Sequence, residues 1–203
     1  MASTDVQATF INPAVADPNG ISVAAAVGNN ANLVIGGALA ADGAVTFDQP
    51  RNITILSAAD DSGISFTVTG TSETGAAQTE SITGVDSDTA TGSKFFATLT
   101  QIAAVGNPAG NVSAGSGTSI AAPIYQGRMR LRGLYIVNTA SADTITFRNT
   151  SGTGTIKMQM ATVGAANTNQ YPDVPDDGIV FTSGCYVTYT QTKMSSMTAF
   201  YEG

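Results

Sequence analysis

The chain has 203 residues and a formal net charge of −7 at pH 7, with one cysteine and no histidine. This length suffices for one large β domain or two small ones, and a hydrophobic content of 42% excludes a disordered chain. The negative charge argues against nucleic acid as a partner, because the phosphate backbone attracts concentrated positive charge. The missing histidine excludes Ser-His-Asp and Cys-His catalysis.

The first nineteen residues hold Pro13 and Pro18 and show no helical or strand periodicity, which predicts an extended N-terminal arm over 1–19. We expect contacts with partner chains to order this arm, since free termini fray. Residues 1–5 contain no basic segment followed by an apolar one, so we expect no secretory signal. No apolar run approaches the roughly 20 residues of a membrane-spanning helix, so we expect no membrane partner.

Short β-rich runs separated by turn residues follow over 20–119. In the clearest, Gly63 to Gly70, every second residue is apolar, which predicts a strand with one buried face. Asn52 to Leu56 predicts a preceding strand, and the turn between the two predicts a hairpin. The alanine-rich stretch Ile21 to Val27 fits a short helix or a strand equally well.

The stretch Asn111 to Ser119 is rich in glycine and serine and predicts the boundary between two domains. Residues 1–119 carry two basic and ten acidic side chains, a net charge of −8, whereas residues 120–203 carry six basic and five acidic ones, a net charge of +1. Further β-rich runs follow this boundary, beginning with Met129 to Asn138. The sequence therefore predicts an all-β chain with two tandem antiparallel domains behind the arm: a β-sandwich over 20–119 and a β-sandwich or jelly roll over 120–203.

Paired acidic residues occur at three places: Asp60-Asp61, Asp86 with Asp88, and Asp176-Asp177. Each pair lies in a predicted turn, where Asp bonds to nearby backbone amides, so we interpret the pairs as structural. The alternatives are a glycosidase-type carboxylate pair and a calcium site at Asp86 and Asp88, which lacks the glycine and distal glutamate of an EF-hand loop. Cys185 has no basic neighbour that would activate it. We therefore expect no catalytic, cofactor or metal site, and no enzymatic activity.

Three arginines alternate in one predicted strand, at Arg128, Arg130 and Arg132. Because side chains alternate across a strand, all three should project from one face, which becomes apolar at Leu134 and Ile136. The simpler interpretation is a solvated strand edge that charge protects against aggregation. The alternative is a docking surface for an acidic partner, since arginine is enriched at interfaces and pairs bidentately with carboxylates.

Two groups of residues carry a family resemblance. The first runs from Arg51 to Gly70 and continues at Thr79 to Gly84 and Ala109 to Val112; the second comprises Arg130 to Tyr135, Gly178 to Val187 and Phe200-Tyr201. These stretches resemble virion proteins of tailed bacteriophages, especially β-sandwich proteins of the head-associated and decoration type. The resemblance implies a protein of the particle surface and supplies no catalytic residue. The single cysteine suits a reducing compartment, so we expect synthesis in the host cytoplasm.

On this basis we expect a capsid decoration, or cement, protein that binds and bridges subunits of the major capsid protein, with Arg128, Arg130 and Arg132 as docking residues. Homo-oligomers usually have cyclic symmetry, and a trimer suits the three-fold positions of a capsid. The nearest alternative is a tail, adaptor or receptor-binding fibre component, which an exposed aromatic platform would favour. An enzyme such as a capsule depolymerase would instead need an acid pair in a groove.

Overall fold

The computed structural model describes residues 5–203, and these residues form an all-β protein with antiparallel sheets and no α-helix. None of their helical segments is long and apolar enough to span a membrane. A single 3-10 turn occupies Gln191–Lys193. The strands in chain order are β1 Gln7–Ile11, β2 Ser22–Ala26, β3 Ala40–Ala41, β4 Ala44–Ser57, β5 Ser65–Ser72, β6 Ala77–Thr83, β7 Thr89–Thr91, β8 Phe96–Val105, β9 Asn111–Tyr125, β10 Met129–Asn138, β11 Thr144–Asn149, β12 Ile156–Ala161, β13 Asn169–Gln170, β14 Ile179–Phe181, β15 Cys185–Thr190 and β16 Met194–Glu202.

Backbone contacts divide the chain into two compact units. The terminal unit comprises the described residues up to Val15 together with Ser119–Gly203, and the middle unit comprises Ala16–Thr118. The change from one unit to the other falls inside β9, which is a continuous strand. That residues 20–119 and 120–203 are independently folding domains stays a prediction.

The middle unit is built from one sheet that contains its own core. Its main strands follow the order β9-β4-β8-β5-β6, while β2 pairs with β9, and β3 and β7 pair with β4. Their apolar side chains, such as Ile53, Phe66 and Phe96, are fully buried in one cluster. Most of the cluster comes from these strands, and Ile21 and Leu33 join it from segments outside them.

The terminal unit has a core to which two sheets contribute. One is a five-stranded sheet of order β1-β16-β10-β13, with β14 also on β10, and the other contribution is the run β12-β11-β15-β9 of the 11-stranded sheet. Leu131 and Met197 of the first sheet share a buried cluster with Ile120 and Phe147 of the second. This arrangement is sandwich-like, because both sheets direct apolar side chains into one shared core.

Three local predictions have definite outcomes. Ile21 to Val27 contains strand β2 and no helix, which settles the open alternative. Within the predicted arm, β1 pairs with β16 of its own chain, so no partner chain is needed to order residues 7–11. The predicted hairpin of Asn52 to Leu56 with Gly63 to Gly70 is wrong, because β8 lies between β4 and β5.

The reason for the missing hairpin lies in the segment after β4. The amide of Ala58 donates to the carbonyl of Asn111 (3.0 Å), and the amide of Asp61 donates to the carbonyl of Val85 (3.2 Å). These bonds lead the chain away from β4 before β5 begins. A turn signal in the sequence predicts a reversal but does not determine which strand becomes the neighbour.

The glycine-rich stretch Asn111 to Ser119, predicted as the domain boundary, forms the first part of β9, and most of it is buried. A Cβ atom on Gly115 would collide with the carbonyl oxygen of Asp17 and with the backbone of Pro18, and one on Gly117 would collide with the side chain of Asn52. Glycine in a strand permits such close approach. These glycines therefore permit close packing within a strand, and the predicted boundary at residue 119 coincides with the change from the middle to the terminal unit.

Candidate interaction surface

The predicted docking arginines lie at the start of β10, where the strand is irregular. Its pairing with β16 shifts between Leu131 and Gly133, which places a β-bulge at Arg132. A bulge inserts one residue and reverses the alternation of faces beyond it. Leu131 before the bulge and Leu134 and Ile136 after it are all buried. The prediction that the arginine face continues at Leu134 and Ile136 is therefore wrong.

Two of the three arginines have partners within the chain. Nη1 of Arg130 donates to the carbonyl oxygen of Asp177 at 2.7 Å. Nε of Arg132 lies 3.4 Å from Oε1 of Glu202, and both side chains are about one-third exposed. Arg128 precedes β10 and is exposed. Their assignment as capsid-docking residues stays a prediction, and at Arg130 and Arg132 docking would compete with these internal contacts.

Four aromatic side chains lie beside these arginines on the outer face of the same sheet. We call Phe10, Tyr135, Tyr171 and Phe200 the aromatic face. Phe10 is 63% exposed, Tyr171 69% and Phe200 38%. Alternation along the strands produces this arrangement, because the sequence neighbours of these side chains, such as Ile11 beside Phe10, are the ones that enter the core.

Strand register explains why the ring of Phe200 is uncovered. It lies opposite Ala8 of β1 on one side and Gly133 of β10 on the other, and neither residue has a side chain large enough to shield it. Phe10 and Tyr135 occupy the next outward row, on either side of Thr198. Aromatic side chains therefore reach the surface on three neighbouring strands of this sheet, β1, β16 and β10.

The ring of Tyr135 also contacts Tyr171, which follows β13. Their centroids are 5.1 Å apart and the ring planes are tilted by 45°. Tilted pairs at this separation are favourable beyond the area that they bury. The contact holds the exposed Tyr171 ring against the sheet, so that it extends the aromatic face.

The surroundings of the aromatic face resemble the usual anatomy of a protein interface. Interfaces have an aromatic centre and a polar rim, and both aromatic residues and arginine are enriched in them. Here Arg132 and Glu202 lie at one end of the face. Strand β1 is also an edge strand, pairing with β16 alone among the strands of residues 5–203, and open edges accept further strands.

Among the acidic turn residues, Asp61 accepts from the distant amide of Ala109 at 2.7 Å, whereas Asp60 and Asp88 bond to their own turns. Asp60 accepts hydrogen bonds from the amide (3.0 Å) and hydroxyl (2.7 Å) of Ser62, and these bonds lower the pKa of its carboxyl. Asp88 accepts from the amide of Thr89 at 2.7 Å. This is the structural role predicted for them. Within residues 5–203 no group of three metal-ligating side chains forms.

Cys185 lies in the core of the terminal unit and is fully buried. Burial raises the pKa of its thiol well above the ordinary range, because the thiolate would lose its hydration. The thiol therefore stays protonated and packs as a small apolar group.

Sequence reasoning missed the aromatic face, although a signal for part of it was present. Val6, Ala8 and Phe10 alternate with Gln7 and Thr9, which is strand periodicity inside the segment interpreted as an arm. Comparison of the chain with family models, with curated proteins and with solved structures finds no match.

Proposed function

We propose that the chain is a non-enzymatic structural protein of a bacteriophage particle: a capsid decoration, or cement, protein that binds and bridges subunits of the major capsid protein. The observation that carries the proposal of a particle-surface protein is the aromatic face, which is exposed although the unit behind it has its own buried core. The choice of a decoration protein over a tail component rests on the family resemblance, because an exposed aromatic platform by itself favours the tail alternative. Contiguous exposed aromatic area is uncommon on a protein that acts alone, and it marks a surface that another molecule covers.

We also propose two tandem antiparallel domains, a β-sandwich over 20–119 and a β-sandwich or jelly roll over 120–203. The two separate core clusters support this, as do the two sheets that contribute to the terminal core. Assembly as a symmetric oligomer, with a trimer as first choice, is part of the proposal. The open edge of β1 supports self-association, because a strand edge can pair with a second copy.

Cryo-electron microscopy of the virus particle that contains the chain tests the proposal. We expect density for the chain at icosahedral positions on the head, together with capsid subunits contacting the aromatic face. In particles carrying Phe10→Ser and Phe200→Ser, head occupancy should fall by about tenfold or more, which corresponds to about 1.4 kcal/mol. Density confined to the tail axis, or full occupancy of the double variant, would contradict the proposal.

Val163→Ser is the matched control. Val163 is 58% exposed, belongs to the terminal unit and lies outside the aromatic face. The control removes a similar exposed apolar side chain and should leave occupancy unchanged. If it lowered occupancy as much as the aromatic substitutions did, general surface hydrophobicity would explain the result.

The Tyr135–Tyr171 pair favours a second candidate, a tail or receptor-binding component. Exposed tyrosine combines a flat apolar ring with a hydrogen-bonding hydroxyl, which is the chemistry that a sugar ring can use. Under this alternative, Tyr171→Ala would abolish binding to host-cell glycans and leave head occupancy unchanged. Under the decoration proposal, the chain would show no glycan binding.

A further inference from the structure

The strands that pair with a single neighbour differ in how their open edges are protected. Within residues 5–203 these strands are β1, β2, β3, β6, β7, β12, β13 and β14. The N–H and C=O groups of an open edge are a template for a further strand, and proteins block it with short strands, charged side chains, prolines or bulges. Four of these strands, β3, β7, β13 and β14, have at most three residues and offer little backbone.

Three of the four longer edge strands also carry protection. The pairing of β2 with β9 has a register shift. The buried carboxylate of Glu80 lies on the inward face of β6, beside the core residue Ile82. Strand β12 carries the exposed Lys157, and its pairing with β11 also shifts register. Strand β1 has none of these features, because Gln7–Ile11 contains no charge and no proline and its register with β16 is unbroken.

The side chains along the β1 edge alternate in character. Val6, which precedes the strand, and Ala8 and Phe10 within it are exposed on the outer face. Gln7 and Thr9 project to the opposite side. A strand that pairs with this edge must therefore place apolar side chains on the outer face and polar ones on the other.

An antiparallel copy of the same strand meets this requirement. A two-fold axis through Ala8, perpendicular to the sheet, would place Ala8 opposite its own copy, Val6 opposite Phe10, and Gln7 opposite Thr9. Residues directly opposite in an antiparallel pair share a face, and aromatic side chains pair favourably with β-branched ones. Each apolar residue then lies opposite an apolar one, and each polar residue opposite a polar one.

The neighbouring register fits less well. With the axis at Thr9, Gln7 would lie opposite Ile11, whose side chain is fully buried in the core of its own copy. Val6 would lie opposite the exposed Asn12, beyond the end of β1. Both pairs would oppose an apolar side chain to a polar one, so the pattern favours the register centred on Ala8.

Charge also favours a second copy at this edge. The terminal unit carries six basic and six acidic side chains, so two copies of it have no net repulsion. The middle unit has a net charge of −7, which opposes self-pairing at the edges of β2 and β6. Among the longer edge strands of residues 5–203, β1 is therefore the one suited to a copy of itself.

We propose that β1 is a contact between two copies of this chain, in which the two β1 strands pair antiparallel about a two-fold axis at Ala8. The two five-stranded sheets then become continuous, and the aromatic faces of both copies lie on one outer surface. This contact rests on the proposed function, whose symmetric oligomer it makes specific. A three-fold contact can form elsewhere, because dihedral assemblies combine two-fold and three-fold axes.

Sedimentation of the purified full chain, without capsid subunits, tests the proposal. We expect an even number of chains in each assembly. Ala8→Lys places two ammonium groups opposite each other at the axis, so association should weaken by about tenfold or more and the assembly mass should halve. A monomer at millimolar concentration, an odd number of chains, or an unchanged mass in the variant would overturn the proposal.

Val163→Lys is the matched control. Val163 is exposed, belongs to the terminal unit and lies outside β1. The control adds the same charge to the same unit and should leave the assembly mass unchanged. Equal loss of association in the control would show a general effect of charge and overturn the assignment to β1.

Disulfide trapping locates the axis. Directly opposed residues have Cα atoms about 4.5–5.5 Å apart, which a disulfide can span, so Ala8→Cys should give a crosslinked dimer under mild oxidation. Gln7→Cys is the control, because Gln7 lies two residues out of line with its own copy and should crosslink little. Cys185 is buried and should not react. Equal or preferential crosslinking of Gln7→Cys would overturn the register.

Failure of the β1 contact and failure of the proposed function give different results. Dimers of the purified chain without head occupancy would contradict only the proposed function, whereas head occupancy by a chain that does not self-associate would contradict only the β1 contact. A strand from another protein is the remaining occupant of this edge. Protection of β1 amides from hydrogen exchange on the particle alone would indicate such a strand and overturn the assignment to a second copy.

Discussion

The two units use similar strands but differ in charge and in what they expose. The terminal unit carries six basic and six acidic side chains and has no net charge, whereas the middle unit has a net charge of −7. The first displays aromatic rings on a sheet face, and the second buries the carboxylate of Glu80. Units rich in Ser, Thr, Ala and Gly can thus differ in charge and in exposed apolar surface through a few side chains.

The largest effect is expected from a core substitution in each unit, which tests whether the two units unfold independently. Phe147 and Phe66 are both fully buried, one in each core cluster. Replacing either by Ala should cost about 3–5 kcal/mol through lost burial and a residual cavity. We expect Phe147→Ala to speed hydrogen exchange in β10 and β16 while β5 stays protected, and Phe66→Ala to do the reverse. Equal loss of protection in both units would show a single cooperative body.

A glycine substitution in β9 should have the next largest effect on stability. In Gly115→Ala, the new methyl group meets the backbone of Asp17 and Pro18, which cannot move like a flexible side chain. We expect destabilisation of about 1–3 kcal/mol or more, as overpacking produces, measured as a lower urea midpoint. The conservative control Gly63→Ala should change the midpoint little. Equal midpoints for the two variants would show that segment 17–18 moves away without cost.

The ion pair between Arg132 and Glu202, beside the aromatic face, should contribute less to the free energy of unfolding. A double-mutant cycle with Arg132→Ala and Glu202→Ala should give a coupling energy of roughly 0.2–1 kcal/mol, because exposed pairs are screened by water and salt. We expect the coupling to decline in 1 M salt. A larger coupling that persists in salt would indicate that the two side chains are packed more tightly than their one-third exposure indicates.

The smallest effect concerns acid stability in the middle unit. Hydrogen bonds from Ser62 lower the folded-state pKa of Asp60, so the stability that they add is present above the unfolded-state pKa of about 3.9 and is lost as the pH falls through the folded value. Urea midpoints of the wild type and of Asp60→Asn should differ at pH 6 and converge toward pH 2. A difference that grows on acidification would contradict the assigned cause.

Much of the fold could be predicted because strand signals are local. Alternation identified β5 and β10 to within about two residues, and turn residues separated the strands. The neighbours of those strands could not be predicted in the same way. The pairing of β5 with β8, and the strand β1 inside the predicted arm, depend on contacts between residues distant in sequence.

In the candidate surface, too, local sequence patterns do not determine how the strands pair, and here a single residue makes the difference. Arg128, Arg130 and Arg132 were identified from their spacing, but one extra residue at Arg132 reversed the side of the sheet on which Leu134 and Ile136 lie. The sequence does not reveal this bulge, because apolar residues would face the core whether or not the alternation of faces is interrupted. Phe10, Tyr135 and Phe200 come from three separate strands, so only strand register brings them together.

The sequence by itself determined that the chain is all-β, that its charge is concentrated in one part and that its only cysteine forms no intrachain disulfide. Composition and period-two patterns suffice for these conclusions, because they depend on each residue and its near neighbours. Tertiary structure alone decided which glycines pack in a strand, which aromatic rings share a face and which strands lie at an edge. Those properties arise from long-range strand pairing, in which a shift of one residue moves a side chain from the core to the surface.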